Sequence, residues 1–251
     1  MSRVWREYVR PLIGILVLLG LWELLPETGL VDRELMPPFS QVMGDLPKLF
    51  TSTGFGAAML STATTWWVGV VSALLIGAPL GMLMGRSELV FRALNRPIGL
   101  LYSIPKVGLV VPLVLIFGVG LLSVGGVVFL GCLIPIVTSA YQGSKMTAVE
   151  HLWAARSVGV PTWMTGVRVV LPSALPHLIS GTRLAVAVGL LDVLGAQFVV
   201  RQSGVGAYLY DSFDVGQFVR VWSTATVVAV LGLIADLLYV RVSKRVFPWA
   251  I

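Results

Sequence analysis

The chain has 251 residues, of which 57% are hydrophobic and only 12% are charged, and its net charge is +6. Because soluble domains carry about 25% charged residues, this composition excludes a soluble enzyme and predicts a single transmembrane domain over residues 1–251. The positive residues stand at the ends of apolar runs rather than along one stripe, so nucleic acid is not an expected partner. Residues 49–85 and 107–144 contain no charged side chain, and one bilayer span needs about 20 apolar residues. We therefore predict an all-α integral membrane protein, a polytopic bundle of about six transmembrane helices.

The first 59 residues predict one span followed by a segment outside the membrane. Residues 11–22 are apolar and follow a stretch with three arginines. Signal peptides share this pattern, but no small-residue cleavage site follows, so we expect an uncleaved span. Residues 27–58 are polar, and Ser40 precedes apolar residues at helical spacing, which predicts a short helix capped by Ser40. We expect this helix at the outer boundary of the membrane, with Glu23 in solvent nearby.

Residues 60–250 predict the core of the domain, with five further spans. The second span contains Gly77, Gly81 and Gly85, whose spacing of four gives one bare face on which another helix packs closely. The third span opens at Pro97, and Pro105 should break it locally within residues 103–106. The predicted spans in this core are residues 60–84, 97–118, 126–142, 176–200 and 217–241.

The distribution of lysine and arginine predicts which side of the membrane each loop faces. With six spans, both termini lie on one side, and that side carries 12 of the 18 lysines and arginines, against four on the other side. Positive residues concentrate in cytoplasmic loops. We therefore expect both termini and residues 145–172 in the cytoplasm.

Residues 145–172 form a polar interruption between apolar segments and predict a short helix in water. Thr147 and Glu150 have the spacing of a capping box, in which two side chains satisfy free amides at a helix start. Gly159 stands where a left-handed residue ends a helix, and Pro161 prevents its continuation. This spacing predicts a helix over 148–158. Because so short a helix is marginal alone in water, it either docks on a partner or serves as an ordinary connector.

The residues of this loop carry a resemblance to a known family. The run Trp153-Ala-Ala-Arg-Ser-Val-Gly159, followed by Leu171-Pro172, resembles the EAA loop of ABC importer permeases. Trp153 departs from the family pattern, which has a glutamate there, and Gln197 stands where relatives often have a glutamate late in the fifth span. Seven segments resemble the nitrate, taurine and alkanesulfonate branch of this family in their order and spacing. They are residues 77–85, 103–105, 117–120, 154–159, 170–176, 181–185 and 203–206.

The resemblance implies the permease subunit of an ATP-driven importer with a type I permease fold, in a bacterial plasma membrane. Such permeases work in pairs, here expected as a homodimer, with two ATP-binding subunits and an extracytoplasmic solute-binding protein. The chain has no phosphate-binding loop of the form G-x-x-x-x-G-K-S/T, so ATP and magnesium are expected on a separate subunit and no cofactor on this one. Within the branch we favour a small anion as solute, such as a sulfonate, taurine or nitrate. The expected contacts with the ATP-binding subunit are Glu150, Trp153, Ala154, Ala155, Arg156, Gly159, Leu171 and Pro172.

Polar residues at membrane depth are candidates for the translocation pathway, because they are costly there and are usually functional or paired. Asp192 lies midway along the fifth span and either lines the pathway or forms a buried pair, for example with Arg183 or with a neighbouring helix. Lys106 either faces an anionic solute or extends to the membrane interface, and Asp236 is expected in a structural ion pair. The pathway candidates are Asp192, Gln197, Ser103 and Lys106.

Two other classes of protein fit this composition. An ATP-independent secondary transporter or channel predicts inverted repeats with paired broken helices, and no internal repeat is evident. An intramembrane enzyme or scaffold needs a catalytic constellation within the spans, for which Asp192 alone is thin support. His151 and His177 have no cysteine or carboxylate at ligand spacing, so no metal site is expected.

Overall fold

In the computed structural model, which describes residues 10–249, the chain folds into helices joined by short turns. The described residues contain no β-strand. Residues 25–28 and 106–109 form 3-10 turns, and residues 166–170 form a π-helical turn. In chain order the helices are α1 (Arg10–Leu24), α2 (Phe39–Thr51), α3 (Phe55–Arg86), α4 (Glu88–Ser103), α5 (Val110–Phe117), α6 (Leu121–Lys145), α7 (Val149–Ser157), α8 (Thr162–Thr165), α9 (Leu171–Val200), α10 (Val205–Asp214) and α11 (Phe218–Val246).

Four helical segments of the described chain are long and apolar enough to cross a membrane. They are α3, α6, α11 and the continuous segment Thr162–Val200, in which the π-helical turn joins α8 to α9. These segments confirm the predicted second, fourth, fifth and sixth spans and extend each of them. The fifth begins well before the predicted residue 176, because Pro176 lies inside α9 without ending it.

The predicted third span is built from two helices that meet at a sharp bend. α4 begins directly after Ser87, whose side chain caps it, so Pro97 lies inside α4 and the predicted start at Pro97 is wrong. The chain turns by 98° between α4 and residues 106–117. Ile104 and Pro105 have extended backbone at this turn, as expected for a proline and the residue before it. The break predicted within residues 103–106 is therefore present.

The close approach of α3 to α6 depends on glycines along their contact. The three glycines predicted for helix packing all face α6. A methyl group added to Gly81 would overlap the backbone carbonyl oxygen of Val137. On Gly85 it would lie 2.8 Å from the Ser144 Cβ, and on Gly77 it would lie 3.1 Å from the nearest methyl group of α6. The two backbones therefore approach more closely than any larger residue allows.

α9 packs against α6 in the same manner. A methyl group on Gly143 of α6 would lie 2.8 Å from the Cα of Ala174, and one on Gly181 of α9 would overlap the side chain of Ser139. The Trp66 indole of α3 donates a hydrogen bond to the Val186 carbonyl of α9 (3.0 Å) and so connects α3 directly to α9. The core of the bundle is thus the trio α3, α6 and α9.

The start of α2 is capped by a distant side chain rather than by Ser40. α2 begins at Phe39, and the Glu23 carboxylate accepts hydrogen bonds from both the backbone amide (2.9 Å) and the hydroxyl (2.7 Å) of Ser40. A carboxylate at this end of a helix also interacts favourably with the helix dipole. The predicted Ser40 cap is therefore wrong, whereas Glu23 caps the helix from a position that is still in contact with solvent.

The predicted polar segment is held against the last span. Asp45 of α2 pairs with Arg220 of α11 at 2.9 Å, and the Trp222 indole donates to the Leu35 carbonyl (2.9 Å). Val42 and Leu49 of α2 are completely buried. α2 is therefore part of the packed structure. The described part of α1 has 15 residues, about 22 Å of helix, and residues 1–9 lie outside the described chain, so the predicted first span stays a prediction.

We expect Gly81→Ala to destabilise the domain, because the added methyl group collides with a backbone oxygen that cannot rotate away. Overpacking of this kind costs about 1–3 kcal/mol. Gly56→Ala on the same helix is the control, since nothing lies within 4 Å of its added methyl group. Thermal unfolding in detergent, followed by circular dichroism, should show a lower midpoint for Gly81→Ala than for Gly56→Ala. Equal midpoints would contradict the packing role of Gly81.

Candidate functional site

α7 begins one residue later than its sequence motif predicts. Ala148 is the residue that precedes its first turn, and no side chain caps this end. Thr147 is buried, and its hydroxyl has no hydrogen-bond partner among the described residues. The predicted capping box of Thr147 and Glu150 is therefore wrong: Thr147 packs inward, away from the free amides, and Glu150 stays exposed.

The other end of α7 is closed as predicted. Gly159 adopts the left-handed conformation with φ of +74°, which residues with a side chain rarely adopt. Its amide donates to the Arg156 carbonyl (3.0 Å), and the Val160 amide donates to the Ala155 carbonyl (3.0 Å). This pair of hydrogen bonds is a Schellman motif. α7 is therefore a separate helix of nine residues rather than an extension of the next span.

α7 presents most of its predicted contact residues to the outside. Leu152 and Ala155 are its buried residues. Glu150, Ala154, Arg156 and Gly159 are exposed, and the Trp153 side chain is 64% exposed. Ala155 alone among the predicted contacts on this helix packs into the chain itself. Exposed apolar residues extend the same surface, namely Met146, Val149 and Val158.

Leu171 and Pro172 are the first two residues of α9. Pro172 is exposed, whereas Leu171 is half-buried and borders a groove together with Leu152 and Arg156. Leu171 therefore adjoins α7 through this groove, whereas Pro172 does not line it.

Asp192 is buried within the core of the bundle. One carboxylate oxygen has no hydrogen-bond partner among the described residues, and it faces Gly131 of α6 so closely that a methyl group there would overlap it. Arg183 does not pair with it, because its guanidinium binds both oxygens of Asp236 at 2.6 and 2.7 Å. The expected ion pair of Asp236 is thus present, and the alternative of an Asp192–Arg183 pair is wrong.

Gln197 joins three helices at one end of the bundle. Its side-chain oxygen accepts a hydrogen bond from the Thr62 hydroxyl of α3 (2.7 Å) and a longer one from the Gly206 amide of α10 (3.4 Å). The Thr62 hydroxyl in turn accepts from the Val205 amide (2.8 Å). Gln197 is 2% exposed, and the hydrogen bonds that its side-chain oxygen accepts connect α9 to α3 and α10.

Ser103 and Lys106 flank the sharp bend after α4. Ser103 is exposed, and the Lys106 ammonium donates to the Tyr102 carbonyl (3.0 Å). Val107 packs on α9, where a methyl group on Gly195 would lie 2.8 Å from it. Gly195 is one helical turn from Asp192. The structure thus brings the bend close to the part of α9 that carries Asp192.

A polar cavity beside Gln197 was not found from the sequence. It has a volume of about 250 Å³ and lies between α3, the start of α6 and the residues after α9. Hydroxyls and amides line it without any charged side chain. Ser61, Thr64 and Thr65 share helical spacing, which is the only signal for such a cavity in the sequence. Its polar lining residues are Ser61, Thr64, Thr65, Gln197, Gln202 and Ser203.

Comparison with known proteins relates nearly the whole chain to solute permeases. The taurine transport system permease protein TauC of Escherichia coli (strain K12) is 28% identical over 94% of this chain and 88% of its own length. The nitrate import permease protein NrtB of Synechocystis sp. is 22% identical, over 96% of this chain and 90% of its own. The putative aliphatic sulfonates transport permease protein SsuC of Bacillus subtilis (strain 168) is 22% identical, over 93% and 84%.

The family model for the binding-protein-dependent transport system inner membrane component matches residues 77–248. This range is more than half of the chain, and it contains α7, the bend after α4 and the core helices α6 and α9. The chain therefore belongs to the family of binding-protein-dependent ABC transporter permeases and is a membrane permease, not an enzyme.

Proposed function

We propose that this chain is the permease subunit of an ATP-driven importer, and that α7 is the element that couples it to ATP hydrolysis. The observation that carries the proposal is the exposed face of α7. A nine-residue helix that buries only Leu152 and Ala155 is too short to be stable by itself. Its largest side chain, Trp153, is 64% exposed, and a partner that covers this face supplies the missing stabilisation.

The partner is an ATP-binding subunit, because this permease has no phosphate-binding loop of its own. Two such subunits and two copies of this chain form the importer, with one α7 seated in each ATP-binding subunit. Trp153 serves as the anchor in place of the glutamate usual in the family, since a buried tryptophan is a frequent hot spot of an interface. Ala154 beside it leaves room for the partner surface. Both termini and α7 lie in the cytoplasm.

The solute is a small anion that an extracytoplasmic binding protein delivers. Relatives are named for the transport of taurine, nitrate and aliphatic sulfonates, all of which carry a small oxyanion group. The cavity beside Gln197 supports this choice, because its hydroxyls and amides offer neutral hydrogen-bond donors and it contains no carboxylate to repel an anion. Ser103 and Lys106 at the bend and Asp192 beside it line the pathway further along.

We expect Trp153→Ala to lower the affinity of the ATP-binding subunit for the permease at least tenfold, because truncation of a buried aromatic anchor costs about 2 kcal/mol or more. Stimulation of ATP hydrolysis by the permease should fall in parallel. Binding of the purified ATP-binding subunit to the permease in lipid nanodiscs measures the first effect. Trp249→Ala is the matched control, since Trp249 is 67% exposed but lies outside α7.

Unchanged affinity and ATPase stimulation in Trp153→Ala would contradict the coupling role of α7. Reconstitution into vesicles tests the energy source separately. Uptake that requires both ATP and the second subunit supports the importer, whereas uptake by this chain alone supports an ATP-independent transporter or channel.

We expect Asp192→Asn to lower the uptake rate at least tenfold while the importer still assembles. Asparagine keeps the shape of the side chain but removes its charge, and intramembrane charges are retained mainly where they act on the transported species or the gate. Glu88→Gln is the control, because Glu88 is exposed and its i,i+4 pair with Arg92 at 2.9 Å is worth only about 0.3–0.5 kcal/mol. An uptake rate for Asp192→Asn equal to that of the control would remove Asp192 from the pathway.

A further inference from the structure

A groove opens between the last turns of α3 and the chain that connects α7 to α9. Its volume is about 590 Å³, and most of its lining is apolar. Met82 and Leu83 of α3 form one wall, and Leu152, Trp163 and Leu171 form the other. Arg156 and Leu171, which the sequence led us to expect at the ATP-binding subunit, both line this groove, whereas Trp153 and Ala154 do not.

Two arginines stand at this groove without an acidic residue among its lining. Arg86 ends α3 and Arg156 belongs to α7, and both are exposed. Among the described residues neither guanidinium has an ion-pair partner. An apolar groove with two free cations at its rim fits a molecule that carries an anionic head on an apolar tail.

The position of the groove favours a membrane lipid as that molecule. Leu75, Ile76 and Leu83 are exposed apolar residues of the spanning helix α3, so the groove is continuous with the lipid-facing surface. Arg86 at the end of this helix lies at the depth of lipid headgroups. Trp163 is 69% exposed and suits the same interfacial level.

The groove is distinct from the surface of α7 that we assign to the ATP-binding subunit. Leu152 and Arg156 are four residues apart and share one face of the helix, and both line the groove. Trp153 does not line it, because its side chain is rotated by about 100° around the helix axis. One helix thus presents Trp153 to one neighbour and Arg156 to another.

We propose that this groove binds an anionic glycerophospholipid of the cytoplasmic leaflet. Arg86 and Arg156 hold the phosphate and its headgroup, and an acyl chain lies along Met82, Leu83 and Leu171. The lipid fills the space between α3 and the chain that connects α7 to α9. It thereby holds residues 145–172 at the membrane surface. This site does not depend on which solute the permease carries.

The test uses the full-length chain in phosphatidylcholine vesicles that contain traces of a photoreactive lipid. Phosphatidylglycerol and phosphatidylcholine probes, each with a diazirine on the acyl chain, are compared, and crosslinked peptides are mapped by mass spectrometry. We expect the phosphatidylglycerol probe to label residues 82–86 and 163–171 at least about fivefold more than the phosphatidylcholine probe, because each basic residue near the surface favours an anionic lipid by about that factor. The double variant Arg86→Gln/Arg156→Gln should lose this preference. The control Arg96→Gln/Arg245→Gln removes the same charge from exposed residues that do not line the groove and should keep it.

Three outcomes would overturn the proposal. The first is equal labelling of these residues by both probes in the unmodified chain, a comparison that needs no variant to fold. The second is displacement of the probe by inorganic phosphate at high millimolar concentration, which would indicate an ion site without a lipid tail. The third is loss of labelling when the ATP-binding subunit is added, which would assign the groove to that subunit. Labelling that persists in the assembled importer supports the lipid.

Discussion

The architecture depends on how closely the backbones of α3, α6 and α9 approach one another. Inside a bilayer no hydrophobic effect drives helices together, because lipid tails are as apolar as leucine. Dispersion between closely packed backbones replaces it, and this requires glycine where two helices touch. Gly81 against the Val137 carbonyl, Gly181 against Ser139 and Gly131 against the Asp192 carboxylate are among the closest approaches in the trio. The leucines exposed on α3 and α11 are then free to face lipid.

The polar groups inside this core divide into those with a hydrogen-bond partner and those without one. The Trp66 indole reaches the Val186 carbonyl, and the Gln197 oxygen takes the Thr62 hydroxyl. Such contacts remove the cost of burying polar atoms where water is absent. The second carboxylate oxygen of Asp192 has no partner among the described residues. The His177 Nδ1 atom of the same helix has none either. An unpaired carboxylate at membrane depth is retained only at a cost, and that cost is the argument for the proposed role of Asp192 in the pathway.

The sequence predicted those features whose cause is local. Long apolar runs without charged residues predicted the four long spans, Gly159 predicted the end of α7, and the spacing of Gly77, Gly81 and Gly85 predicted a packing face. Features that depend on distant parts of the chain were missed. Glu23 caps a helix 17 residues away, and no local pattern marks that pair. The 98° bend after α4 follows from packing, since Pro105 indicates a break but not its angle.

The capping box of Thr147 and Glu150, which was predicted but is absent, shows the same limit within the candidate site itself. The spacing of Thr147 and Glu150 fits a capping box whether or not Thr147 faces the solvent. In the structure Thr147 is buried, so it does not cap α7. The exposure of Trp153 was likewise not readable from the sequence, because a tryptophan in an amphiphilic segment is as easily buried. The sequence predicted which residues form the helix in this loop, but not which of their side chains are buried and which are exposed.

The connections of α7 support the proposal that this weakly buried helix moves the tightly packed bundle. Three residues separate its start from α6, and its end leads into the continuous helical segment Thr162–Val200, which carries Asp192. A displacement imposed on Trp153 by a partner therefore reaches two of the three core helices through short, stiff links. The π-helical turn at residues 166–170 lies within the second link, and such turns are frequent where a helix must adjust at a functional site. Because α7 buries only two of its own side chains, little packing within the chain opposes the motion that we propose for it.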